Sequence, residues 1–252
     1  MPAAMTQATP TPRSEIRETL LTLGYALAIA LTLRVILFQP VTIPSASMEP
    51  AVQEGDYVVV SKFDYGWGRA SIPLNPPLPP GRLFGRAPYR GDVVVFRLPR
   101  DPKIDYIKRV IGLPGDRIQL VHGTVLVNGV PIRRTPLDQV TDPTSPEVTV
   151  TRVRETNSEG RSYITFDRGP DHDGDDTEVY RVPEGHYFML GDNRDNSLDS
   201  RWPSEIGVGM VPAENLVGRG RFVLLSWRQG AAIFKPWTWL NLDPARFFRP
   251  LS

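Results

Sequence analysis

A mainly β, antiparallel domain behind one N-terminal transmembrane helix is the fold class this sequence predicts. Three observations predict it. A single apolar run occupies residues 19–38, short β-branched runs recur through the rest, and 26 prolines and 21 glycines punctuate the 252 residues. Proline and glycine at that density interrupt helices and make turns between strands.

The apolar run comes first. Thr19 to Leu33 carries no charge, Arg34 follows, and Val35-Ile36-Leu37-Phe38 completes it. As a helix this stretch would be roughly 30 Å long, the thickness of a hydrocarbon core. Arg34 lies within a turn of the end, where a guanidinium snorkels to the interface. The rival readings are a cleaved signal peptide and a buried core helix; the run is longer than a usual signal-peptide core, which favours a retained anchor. Arg13 and Arg17 precede it, accompanied by Glu15 and Glu18, whereas Val35 to Ser61 contains no Lys or Arg. The positive-inside rule then places the tail 1–18 in the cytoplasm and everything after Phe38 across the membrane, in a single pass. Residues 1–14, rich in Pro, Thr and Ala, read as disordered.

Gln39-Pro40 is expected to end the helix, because proline cannot continue one and disfavours it in its predecessor. A β-rich domain over 39–229 follows. Its candidate strands are Tyr57–Val60, Val93–Phe96, Ile104–Ile111, Ile118–Val121, Thr124–Val127, His186–Leu190 and Phe222–Leu225. Gly55-Asp56 and Gly91-Asp92 supply turns before two of them, and Gly123 and Asn128-Gly129 punctuate a hairpin and meander. Residues 66–88, rich in Pro, Gly and Arg, read as a long ordered loop. Residues 134–180, polar and acid-rich, read as an insert or second lobe, and 230–252 as a C-terminal tail with aromatic and basic residues that suits a membrane interface, a partner or packing on the domain.

Composition narrows the chemistry. With 29 basic and 28 acidic residues the net charge is +1, so no basic field for nucleic acid is implied. The absence of cysteine excludes a disulfide framework, a thiol nucleophile and thiolate metal sites. The three histidines lie in separate segments without ligand spacing. Asp171-His-Asp-Gly-Asp-Asp176 begins like a calcium loop, yet its sixth position is Asp176 rather than glycine and its twelfth is Val182 rather than glutamate. It reads as a solvated acidic turn, and no metal or cofactor is expected.

Three segments remain as carriers of chemistry. Pro44-Ser-Ala-Ser-Met48 lies shortly after the apolar run, and on its own could be an extended linker. In Ile104-Asp-Tyr-Ile-Lys108-Arg-Val-Ile-Gly, strand alternation puts Lys108 on one face with Tyr106 and Val110 and turns Arg109 away. Apolar neighbours disfavour a charged amine, although an edge lysine that discourages aggregation would look the same. Gly191-Asp-Asn-Arg-Asp-Asn-Ser197-Leu-Asp-Ser-Arg201 follows an apolar strand and reads as a loop held by side-chain hydrogen bonds, with Asp199 and Arg201 as an ion pair.

In this order after an apolar helix, these segments resemble the bacterial type I signal peptidases, the leader peptidases of the inner membrane. The resemblance runs from Thr19 to about Trp227. It implies a membrane-bound serine endopeptidase that removes N-terminal signal peptides from exported preproteins, with its catalytic domain on the periplasmic side. By the same resemblance Ser47 is the nucleophile and Lys108 the general base. The Ser45 hydroxyl joins the Ser47 N–H as oxyanion donor, and Ser197 orients the lysine. Asp199 and Arg201 support that loop, and Val41, Ile43 and Ile107 line apolar substrate pockets. The implied partners are preproteins and the lipid bilayer, and the substrate is bound as an added strand. The long proline-rich loop and the 134–180 insert depart from the pattern. The alternatives are a specialised Ser/Lys peptidase, such as one maturing a pilin, and a catalytically silent β domain tethered to the membrane; the anchor and the lack of a helix-turn-helix oppose a self-cleaving repressor.

Overall fold

The computed structural model describes residues 12–72, 77, 79, 81–228, 231 and 235–251. One long helix, Pro12–Ile36, leads into a β structure whose remaining helices are single 3-10 turns. Within it Glu15–Arg34 is long and apolar enough to cross a membrane, and none of that stretch is covered by the rest of the chain. The helix stops at Ile36, short of the expected Phe38. Phe38 is already the first residue of the edge strand Phe38–Thr42, paired with Ser61. That pairing takes over the backbone before Pro40, and proline is tolerated there because the strand is at the sheet edge.

The main sheet is antiparallel. Its strand order is Phe38–Thr42, Asp56–Ser61, Leu216–Ser226, Val93–Leu98, Asp101–Gly112, His186–Leu190 and Val211–Pro212, with Arg249–Pro250 added against Leu216–Ser226. The run Val93-Val-Val-Phe96 is continuously apolar because both of its faces are covered. Val93 and Val95 join Ile43, Met48 and Ile107 in one core cluster, while Val94 and Phe96 join Val110 and Met189 in another. Strand alternation divides the run between the two. A third cluster, around Ile118, Val125 and Phe188, underlies a smaller sheet of Tyr180–Arg181, Arg117–Val121, Thr124–Val127 and Val130–Pro131.

The 134–180 region holds more regular structure than its composition suggests. Arg133–Thr141, Thr149–Thr156 and Ser162–Asp167 form a three-stranded antiparallel sheet. The acidic turn after it is pinned, with Asp175 buried and accepting from the His172 N–H at 2.9 Å. In the long loop, Trp67–Gly68 pairs with Arg82–Leu83. The C-terminal segment is no free tail: Arg246 is buried on Asp56, and Leu251 enters the core.

Candidate active site

Ser47 sits in a 3-10 turn, Ala46–Met48, between the two strands nearest the sheet edge. Fully buried Met48 anchors this turn in the core, so the preceding side chain is held at the rim. Lys108 projects from the twelve-residue strand Asp101–Gly112 on the same face as Tyr106 and Val110, with its Nζ 5.6 Å from the Tyr106 ring centroid. The lysine is 2% exposed, and its Nζ donates to the Ser47 Oγ. Burial pushes the Lys108 pKa down to about 8, with Asp199 and Asp192 pulling it up and Arg201 reinforcing the drop. The Ser45 Oγ lies 3.3 Å from the Ser47 Oγ, on the exposed side. All three residues border a cleft of about 690 Å³ that Ile104, Tyr106, Ile107, Leu198 and Trp202 also line.

The loop after His186–Leu190 closes the site from the other side. The Asn193 N–H donates to the Ser47 carbonyl at 3.2 Å, tying the loop to the Ala46–Met48 turn. Ser197 is buried beside the cleft, and its Oγ has no hydrogen-bond partner among the described residues. Arg201 grips Asp199 through Nε at 2.9 Å and Nη2 at 3.0 Å, and also donates to the Arg194 carbonyl. The second Asp199 oxygen accepts from the Gly191 N–H at 3.0 Å. Burial opposes the Asp199 charge, yet Arg201 and these hydrogen bonds hold its pKa below the usual carboxylate value.

The structure brings Ser45, Ser47, Lys108, Ile107 and Ser197 to one cleft, with Asp199 packed behind it and Arg201 on its wall. Val41 and Ile43 do not border that cleft. Val41 is half-buried against the core opposite Val58, and Ile43 is 1% exposed within the core, its N–H bonded to the Asp56 carbonyl. Both pack in the same cluster as Ile107, which does line the cleft.

Three supports escaped sequence reasoning. A Cβ on Gly191 would overlap both Ser197 Oγ and the Ser47 carbonyl, so only glycine lets strand, loop and the Ser47 turn converge. Arg109, facing away from Lys108 as alternation requires, is fully buried and holds both oxygens of Asp192 at 2.7 Å. Arg194 holds Glu155 of the three-stranded sheet at 2.8 and 2.6 Å, while the Phe166 N–H donates to the Asp192 carbonyl at 2.8 Å. The three-stranded sheet therefore braces the loop. Gly191, Asp192 and Arg194 stood in the motif; Glu155, in a polar strand, gave no signal.

The family model described as "Signal peptidase, peptidase S26" matches residues 16–227. A signal peptidase I of Rickettsia felis is 40% identical over 212 residues, covering 81% of this chain and 77% of that protein. One from Rickettsia typhi is 37% identical over 219 residues, covering 84% of this chain and 81% of its own length. A crystal structure of a signal peptidase I from Enterococcus faecalis, 28% identical, overlays 53% of this chain and 97% of its own with a TM-score of 0.32.

Proposed function

The chain belongs to the signal peptidase family, and from that premise we propose that Ser47 and Lys108 form the dyad with which it cuts. The protein is a serine endopeptidase that removes signal peptides from preproteins. The observation that supports the dyad is a buried lysine hydrogen-bonded to a serine hydroxyl at the rim of a cleft.

The chemistry follows from that pairing. An ordinary lysine is neutral about once in a thousand molecules near neutral pH; with a pKa of about 8, roughly a quarter are neutral at about pH 7.5. The neutral amine accepts the Ser47 proton as the Oγ attacks the scissile carbonyl. Collapse of the tetrahedral intermediate breaks the C–N bond, and Lys108 returns the proton to the leaving amine. Water then attacks the acyl-enzyme with the same amine as base, freeing the signal peptide and Ser47. The Ser47 N–H and the Ser45 hydroxyl face the developing oxyanion, each donor contributing about 3 kcal/mol. Ser197, on the wall of the same cleft, is the residue that orients the amine during turnover, and Asp199 and Arg201 hold that loop. The unpaired edge of Asp101–Gly112 near Ile104 and Ile107 receives the substrate as an added strand.

The protein is membrane-anchored through its N-terminal helix, with residues 1–18 in the cytoplasm and the peptidase domain on the outer side of the bacterial inner membrane. Protease added outside spheroplasts should then cut after Gln39 and spare the N-terminal tail; the reverse pattern overturns this orientation. For the activity itself, purified protein should cleave a preprotein, and Ser47→Ala, though folded, should lose at least about four orders of magnitude. Turnover within tenfold of wild type by that variant would remove Ser47 as nucleophile.

A further inference from the structure

Two residues beyond Ser47, Glu49 is 1% exposed, and its Oε2 has no hydrogen-bond partner among the described residues. Its N–H closes the 3-10 turn by donating to the Ala46 carbonyl at 3.0 Å, so this carboxyl and the nucleophile share one short rigid element. The charged groups facing it come from three other places. Asp142 belongs to the turn between Arg133–Thr141 and Thr149–Thr156, Arg246 to the C-terminal segment, and Glu54 to the turn before Asp56–Ser61.

None of these offers Glu49 a counter-charge of its own. Arg246 is already committed to both oxygens of Asp56 and to the Ala51 carbonyl. Asp142 is fully buried, accepts from Thr144, Ser145 and Arg168, and is thereby held ionised against the pull of burial. A second charge beside it would be both desolvated and repelled.

We propose that Glu49 is a positioning residue that works as a neutral carboxylic acid: uncharged, it seats the turn bearing Ser47 on the Asp142–Ser145 turn of the three-stranded sheet, and ionised it drives the two apart. Burial, then Asp142, raises the Glu49 pKa to about 7. Because that value is raised above the ordinary 4.5, the seating is complete below the ordinary value and is lost as pH rises through about 7. Lys108 runs the other way, gaining its base form as pH rises through about 8. The nucleophile and its base therefore have opposed pH requirements, and the insert enters the reaction through the nucleophile's turn.

This rests on the dyad reading above, and its test is independent of that reading's failure, which Ser47→Ala alone reveals. The full-length enzyme in detergent, with a signal-peptide-like peptide, is assayed for kcat and KM from about pH 6 to about pH 10 as wild type, Glu49→Gln and Glu49→Met. Both variants lack the ionisation. Each should match wild type within about twofold at the acid end and exceed it by about threefold or more above pH 8, in kcat with KM unchanged. A pH profile superimposable on that of wild type overturns the proposal. So does failure of both neutral variants to fold, or rescue by Glu49→Asp alone, since either shows that the charge is required.

Discussion

Among the described residues two lysines are buried, in two regions of the same sheet system, and they differ in what surrounds them. Lys62, just past Asp56–Ser61, is 0% exposed; Lys108 is 2% exposed. Burial lowers both pKa values to about 8. Lys108 meets a serine hydroxyl at the rim of a cleft, whereas the Lys62 Nζ has no hydrogen-bond partner among the described residues and does not border that cleft. The charged groups around Lys62 are Arg34 and Arg97, which push its pKa further down, and Asp105, which pulls it up and is itself paired with Arg97 at 3.1 Å. A depressed pKa makes an amine available; a base also needs a hydroxyl within reach and a cleft that admits substrate.

The sharpest way to break the comparison is to keep the charge and remove the base. Lys108→Arg retains a cation in place of the amine, and a guanidinium stays protonated at any workable pH. The variant should fold and lose at least about three orders of magnitude in kcat/KM for a peptide substrate; retention of a tenth of wild-type turnover would require another base. Next in size is Gly191→Ala, whose added methyl must displace Ser197 or the Ser47 carbonyl. Turnover should fall about a hundredfold with KM little changed, and equal kcat values in wild type and variant would show that the convergence is not needed. The smallest effect belongs to Lys62→Met. Since Lys62 has a folded pKa below its ordinary value, its burial costs stability below about pH 8, and that cost disappears above its ordinary pKa. The variant should keep kcat within about twofold of wild type and show a higher Tm near neutral pH, the gain shrinking toward about pH 10.5. Loss of activity would give Lys62 a role that its surroundings do not suggest.

Much of this was legible in the sequence for local reasons. Val93–Phe96 and His186–Leu190 announce strands by composition, and Ser47, Lys108 and the loop from Gly191 to Arg201 stand in compact motifs. The helix end was displaced because the pairing of Phe38 with Ser61 is a long-range event that no neighbouring residue encodes. Val41 and Ile43 share their core cluster with Ile107, which lines the cleft. The three-stranded sheet was hidden because its first strand, Arg133–Thr141, lies mostly in solvent and shows no apolar alternation. Glu155 reads as one more surface acid until Arg194 is found against it in the interior.

The central claim is that Lys108, and not merely a buried lysine, supplies the base. Its most direct test is the acylation rate of wild type and Lys62→Met measured by rapid mixing from about pH 6 to about pH 8, where base ionisation governs the ascending limb. Lys108, with its pKa near 8, predicts a rate that climbs close to tenfold per pH unit over the lower part of that range, with the same limb in both proteins. A flat profile, or a limb that vanishes in Lys62→Met, would contradict it.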